Sequence, residues 1–246
     1  MDCKDKVVLV TGASRGIGRV IAQQFAAQGA KVILVARTIE QLKELEYELL
    51  RSGGDALAIA ADIANPQEVQ ALALEVGVSY GRVDILINNA AVATLNPLVH
   101  NSLDEWQAMM GVNLQGMFHV TQTFLPGMIE RRAGVIVTIS AAVARNGYPG
   151  LAVYSATKAG SIAFTEALAK EVRRYGVQVY AVCPHGVNTA LYKTLFGATD
   201  PAKLLSPEKV AADVLRVVAG EAGIRSGQTL EITVEASGPG ATSAQG

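Results

Sequence analysis

The chain of 246 residues is poor in charge, in aromatics and in cysteine. Lys, Arg, Asp and Glu make up 17% of it, and 21 basic residues nearly cancel 22 acidic ones to a formal net charge of −1. A nucleic-acid or anionic-membrane partner selects a basic surface, and this balance gives no reason to expect either. No apolar run approaches the ~18 to 20 residues that a membrane helix needs. The first such run, Val7 to Val10, is too short for a secretory signal. A cytoplasmic location is therefore expected, where the two cysteines, Cys3 and Cys183, read as thiols rather than as a bridge. Cys183 ends an apolar run and reads as a small buried hydrophobe. His100 and His119 have no companions at metal-ligand spacing, so no metal is expected.

Hydrophobic residues make up 50% of the sequence, enough for the core of one large α/β unit. Lys6 to Val10 is a continuous apolar run rather than an alternating one, as in a strand buried on both faces of a parallel sheet. Helical spacing follows at Val20, Ile21, Phe25 and Ala26, until Gly29 stops it. The pattern recurs with strands at Lys31 to Ala36, Ala56 to Ala61, Val83 to Ile87, Val135 to Ile139, Val177 to Val182 and Thr229 to Val234. Between them lie helices with readable starts. Thr38 and Gln41 suggest a capping box before the stripe Ile39, Leu42, Leu45, Leu49 and Leu50. Asn65, Pro66 and Glu68 suggest a capped start, Ser102 and Glu105 open one long helix through Leu125, and Ser206-Pro207-Glu208 opens another. Arg131 and Arg132 at the end of the long helix read as complements to its dipole. Regular alternation implies one doubly wound parallel sheet of about seven strands with helices on both faces. No linker splits it, and the segment from Ser237 onward, with no apolar residue larger than Ala, reads as a flexible tail over 237–246.

Two stretches carry chemistry. Between the first strand and first helix lies Thr11-Gly12-Ala13-Ser14-Arg15-Gly16-Ile17-Gly18, where backbone NH groups and the positive helix end can receive a pyrophosphate. An NAD-selective site would place an acid at the end of the second strand, but that strand ends Val35-Ala36-Arg37-Thr38. Arg37 and Arg15 instead suit a 2′-phosphate, so the expected cofactor is NADP(H). The second stretch runs from Gly134 to Gly160 and puts Tyr154 and Lys158 on one face of a helix, one turn apart. An ammonium within a few ångströms should lower the phenol from ~10 by roughly 1 to 3 units, toward the range where proton transfer is efficient.

These motifs, with Asp62 after the third strand, Asn88-Asn89-Ala90, Asn113, Tyr154-Ser155-Ala156-Thr157-Lys158, Pro184 and Thr189, closely resemble the short-chain dehydrogenase/reductase superfamily. The resemblance runs from Lys6 to about Val234. It implies a Rossmann-like catalytic domain over residues 1–236, holding NADP(H) and interconverting a carbonyl and a secondary alcohol. It assigns Tyr154 as acid and base, Lys158 as its helper and ribose ligand, and Asn113 as anchor of a water relay. Cofactor contacts are implied at Gly12, Ser14, Arg15, Gly16, Ile17, Gly18, Arg37, Asp62, Ile63, Asn89, Tyr154, Lys158, Pro184, Val187 and Thr189. It also implies a dimer or tetramer built on the long helices, here with a small face at Ala156, Ala159, Ala163 and Ala167.

Two positions depart from the family pattern. Ala141 stands where a serine usually donates to the substrate carbonyl, leaving the neighbouring Ser140 or His185 as candidate replacements. His185 itself stands where a glycine is usual. The expected pocket, lined by Val92 to Leu95, Val143, Tyr148, Leu191, Tyr192 and Phe196, is mostly apolar and suits an uncharged ketone or acyl group. A 3-oxoacyl carrier-protein thioester would also need a basic docking surface, for which Arg131, Arg132, Arg173 and Arg174 are candidates. Ala141 and His185 also leave open a cofactor-bound sensor or scaffold without turnover.

Overall fold

In the computed structural model, which describes residues 3–234, the apolar runs form seven strands. The order along the chain is β1 (Val7–Thr11), α1 (Gly16–Ala27), β2 (Lys31–Ala36), α2 (Ile39–Arg51), β3 (Asp55–Ala60), α3 (Pro66–Ser79) and β4 (Ile85–Asn88). Then follow α4 (Leu103–Met110), α5 (Met117–Glu130), β5 (Gly134–Ile139), α6 (Ala152–Val172), β6 (Val177–Pro184), α7 (Ala190–Phe196), α8 (Pro207–Ala219) and β7 (Thr229–Ile232). The strands pair in parallel in the order β3-β2-β1-β4-β5-β6-β7. This is the doubly wound, Rossmann-like sheet expected from the alternation. The order reverses between β1 and β4, and there the carboxyl ends of the strands open a crevice.

Continuous apolar strands have a direct cause in this architecture. Val8 and Val10 of β1 face a core built with Ile21 and Phe25 of α1, Leu42 and Leu45 of α2, and Val210 and Val214 of α8. Val7 and Leu9 face the opposite core, with Leu72 and Val76 of α3, Val120 and Met128 of α5, and Leu168 and Val172 of α6. Alternate side chains of a strand point to opposite faces, so both sets must be apolar. Each such side chain fully withdrawn from water stabilises the fold by roughly 1.5 to 3 kcal/mol.

Several starts follow the expected chemistry. The Asn65 side chain accepts from Gln67 N with Pro66 at the first helical position, Ser206 Oγ accepts from Lys209 N, and Ser102 and Glu105 form a full capping box. Others differ. Thr38 makes no side-chain cap to α2, and Leu50 is half exposed because it lies off the stripe set by Leu42, Leu45 and Leu49. Glu68 bonds Asp62 N and the Asn65 side chain, fixing the turn after β3 rather than boxing the helix. The long helix is not uniform: residues Gly111–Gly116 between α4 and α5 widen into a π-helical segment. Arg131 donates to Val83 O at 2.7 Å and Arg132 to Arg174 O at 2.8 Å, so both guanidiniums meet backbone of neighbouring segments rather than their own helix end. Strand limits move by up to two residues: β4 begins at Ile85, β6 continues to Pro184 and β7 ends at Ile232. The segment 237–246, expected as a tail, lies outside the described residues. No described helix is long and apolar enough to cross a membrane.

Candidate active site

A cleft of about 590 Å³ runs along the carboxyl ends of the strands, from the glycine turn at one end to α7 at the other. At the turn end the backbone is packed against the end of β4. Gly12 has φ of 67° and Gly16 of 57°, the left-handed region that a side chain disfavours. At Gly18 the demand is steric instead. A Cβ there would lie 2.3 Å from Gly12 O and 2.4 Å from Asn89 Nδ2. Asn89 holds this packing through its amide, which donates to Thr11 O and Gly12 O. The Thr11 hydroxyl accepts from Asn89 N and Ala90 N and donates to Ile87 O. Asn89 therefore lines the cleft while its side chain is engaged in shaping the turn.

Ser14, Arg15, Gly16, Ile17, Arg37, Thr38, Gln41, Asp62 and Ile63 surround this end of the cleft. Arg15 and Arg37 are exposed there, and neither has a carboxylate partner among the described ion pairs. The Asp62 carboxylate is turned onto its own loop, accepting from Ala64 N at 3.0 Å. A backbone cradle that excludes side chains, at a helix N-terminus, beside two guanidiniums without a described carboxylate partner, fits an adenine dinucleotide carrying an extra phosphate.

Midway along, α6 carries Tyr154 and Lys158 to the cleft wall. The Lys158 ammonium lies 5.7 Å from the Tyr154 ring centroid and donates to Ile139 O at 2.8 Å. Burial pulls that ammonium down to about 8. Burial also raises the Tyr154 phenol above its ordinary value, contrary to the expected lowering. The reason is geometric: with Lys158 bonded to the strand end, desolvation of the phenol outweighs attraction to the ammonium. Ser140, at 3% exposure, donates to Lys158 O at 2.9 Å and its Oγ lies 3.2 Å from Ser161 Oγ. Its hydroxyl proton is thus engaged by α6, while Ala141 presents only a methyl group to the cleft. Asn113, in the π-helical segment, is clamped on both sides of Val92, accepting from its NH and donating to its carbonyl, each at 2.8 Å. It also donates to Thr157 Oγ1 at 3.1 Å. This ties the strand-end loop after β4 to α6 directly behind Lys158.

The far end is closed by α7, which begins where Thr189 Oγ1 accepts from Tyr192 N. Tyr192 and Phe196 are 4.7 Å apart, and Tyr148 meets Phe196 edge-on at 5.3 Å. Val92, Val143, Leu151, Leu191 and Leu195 complete an apolar lining that also includes Pro184 and Val187, whereas Thr189 stands against the glycine turn, its Cγ2 3.4 Å from where a Cβ on Gly16 would lie. His185 lines the same cleft as an exposed side chain, and its backbone NH donates to Ile232 O on β7 at 3.0 Å. Thr11 and Thr157 stand inside the motifs that carry chemistry without a role assigned to them there, and Ser161 stands outside those motifs. Ser161 had a signal, since it lies three residues after Lys158 on one helix face. Thr11 had none beyond its place at a strand end. Among the described residues, no group of three His, Cys, Asp or Glu could hold a metal.

Comparison with known proteins accords with this geometry. The short chain dehydrogenase family model matches residues 6–199. A 3-oxoacyl-(acyl-carrier-protein) reductase of Vibrio cholerae is 35% identical over 240 residues, covering 94% of this chain and 97% of its own. One from Synechocystis is 36% identical over 237 residues, covering 92% and 95%. Among solved structures, a 3-ketoacyl-(acyl-carrier-protein) reductase from Brucella melitensis in complex with NADH superposes with a TM-score of 0.87 at 30% identity, covering 95% of this chain and 98% of that one. Sequence and fold thus agree over nearly the whole length, and the chain belongs to the short-chain dehydrogenase family of oxidoreductases.

Proposed function

We propose that this chain is an NADP(H)-dependent reductase of mostly apolar, uncharged ketones, with 3-oxoacyl thioesters within its substrate class. The observation that carries this reading is the sharing of one cleft by the glycine cradle with Arg15 and Arg37, the Tyr154–Lys158 pair, and an apolar chamber beyond them. When bound, NADPH supplies the hydride that reduces the carbonyl carbon. Tyr154 gives its hydroxyl proton to the carbonyl oxygen, and its raised phenol keeps that proton in place at neutral pH. Lys158, 5.7 Å from the ring, stabilises the phenolate that remains. Asn113 holds Val92 and Thr157, and so fixes the wall beside Lys158. Beyond Lys158 the described chamber wall carries no Lys or Arg, which disfavours a substrate with a free carboxylate. Arg132 and Arg174, the candidate docking pair for a carrier protein, are linked by one hydrogen bond at the amino ends of β5 and β6, the side of the sheet away from this chain's own cleft. The exposed small face of α6, at Ala156, Ala159, Ala163 and Ala167, supports pairing with a second copy.

Ala141 favours a second reading. Loss of one such donor typically costs ~10²- to 10³-fold in turnover, and the Ser140 hydroxyl is engaged elsewhere. That deficit suits a cofactor-bound sensor or scaffold. Purified protein is mixed with NADPH and a panel of hydrophobic ketones, diketones and acetoacetyl-CoA, and NADPH absorbance is followed. Consumption with at least one compound is expected. Tight NADPH binding with no consumption by any of them would instead favour the sensor.

A further inference from the structure

Two buried hydrogen bonds cross between the end of β5 and the catalytic turn of α6, and each runs in the opposite sense. The Lys158 side chain donates to Ile139 O at 2.8 Å, and the side chain of the next residue, Ser140, donates back to Lys158 O at 2.9 Å. The Ser161 hydroxyl, one turn further, directs its single proton to Lys158 O at 2.7 Å and also lies 3.2 Å from Ser140 Oγ. Ser140, Lys158 and Ser161 are at most 4% exposed, so water does not compete for these groups. Polar groups in such a place hold their geometry because breaking any one bond leaves a buried donor or acceptor unpaired. Ser140 N also bonds Val182 O, which fixes the residue in the sheet itself.

From this reciprocal arrangement we infer that Ser140 is a positioning residue that sets where Lys158 presents its ammonium, and is not the donor to the substrate carbonyl. The inference rests on the reading of Tyr154 and Lys158 as the reacting pair. Its physical content is that the backbone of Lys158 is pinned to a rigid strand end, so its amine is confined between Ile139 O and the Tyr154 ring. Without the Ser140 hydroxyl, the first turns of α6 are free to shift from β5 and the amine gains access to water. The other titratable groups facing this amine are Tyr154 on its own helix and Cys183 on β6.

The test uses the full chain labelled with 13C-lysine, with the Lys158 side-chain resonance identified by its loss in Lys158→Met. In Ser140→Ala the Lys158 titration midpoint is expected to move upward, toward the ordinary lysine value, by roughly one unit as the amine becomes hydrated. With NADPH and a substrate found in the panel above, kcat should fall about 10-fold with KM for the ketone unchanged. Ser140→Thr, which keeps the hydroxyl, should restore both readouts, and Ser161→Ala should shift them in the same direction by less. An unmoved Lys158 resonance would overturn the inference, as would a rise in KM for the ketone with kcat preserved, the signature of a lost substrate contact. Should Ser140→Ala fail to fold, Ser161→Ala and Ser140→Thr decide by the same two readouts. Persistence of turnover in Tyr154→Phe would instead refute the underlying assignment, whatever Ser140 does.

Discussion

Ala141 is the residue at which this chain most clearly departs from the pattern it otherwise follows, and the cleft around it supplies no evident serine substitute. Ser140 points its hydroxyl at Lys158 O, so the developing negative charge on a substrate oxygen meets Tyr154 without a second fixed donor from β5. Ala141→Ser should therefore raise kcat/KM by up to ~10²-fold, since a single donor of this kind is worth that much. Steady-state kinetics on the best ketone of the panel check this, and an unchanged rate would mean that another group, such as His185, already serves. At the other end of the cleft, Arg37→Ala should weaken NADPH by roughly 10- to 100-fold, as expected for a charged hydrogen bond of ~1.5 to 3 kcal/mol. NADH affinity should hardly change. Fluorescence titration with both dinucleotides distinguishes this from a general loss of binding, in which the two fall together.

Among the elements, the turn between β1 and α1 is the most constrained. Gly18 sits against Gly12 O and Asn89 Nδ2, and the first of these is backbone that cannot swing aside. Gly18→Ala should cost about 1 to 3 kcal/mol of stability, the usual range for forcing a group into a packed site, and should weaken NADPH binding as the cradle opens. Gly77→Ala is the internal control. Gly77 lies exposed inside α3 with nothing within 4 Å of an added Cβ, so the substitution should stabilise by roughly 0.5 to 1 kcal/mol through backbone entropy. Thermal denaturation of the two variants should move in opposite directions. The element that sequence could not reveal is the π-helical segment Gly111–Gly116. Its apolar spacing through Met110, Leu114 and Phe118 reads as ordinary helix. The widening places Asn113, within that segment, against both Val92 and Thr157.

For the molecule as a whole, two buried groups set opposing dependences of stability on pH. Lys158 has a folded value of about 8, below that of an unfolded lysine near ~10.4. The folded chain then binds fewer protons at this site, so its penalty is full below pH 8 and fades as pH rises toward ~10. Cys183 runs the other way. Burial raises its thiol, so the unfolded chain loses this proton first and stability falls above ~8.5. The two contributions oppose each other above about pH 8.5, each at most ~1.4 kcal/mol per pH unit. Urea unfolding across this range should show a rise with pH in Cys183→Ala and a fall in Lys158→Met. Parallel curves in all three proteins would contradict the assignment.

The order of elements, the parallel sheet, the glycine turn and the Tyr154–Lys158 turn were legible in the chain itself. Each follows from local rules: a period of two or 3.6, a capping side chain, a glycine between strand and helix. Sequence also located the missing serine at Ala141, because position relative to Tyr154 needs only counting. It misjudged the Tyr154 phenol and did not foresee the engagement of Ser140 or Asn113. Those depend on which atoms are brought together from residues far apart in the chain, and on how much water is left around them. Adjacency along the chain fixed which groups were present, whereas packing across the sheet decided which of their protons and lone pairs were already taken.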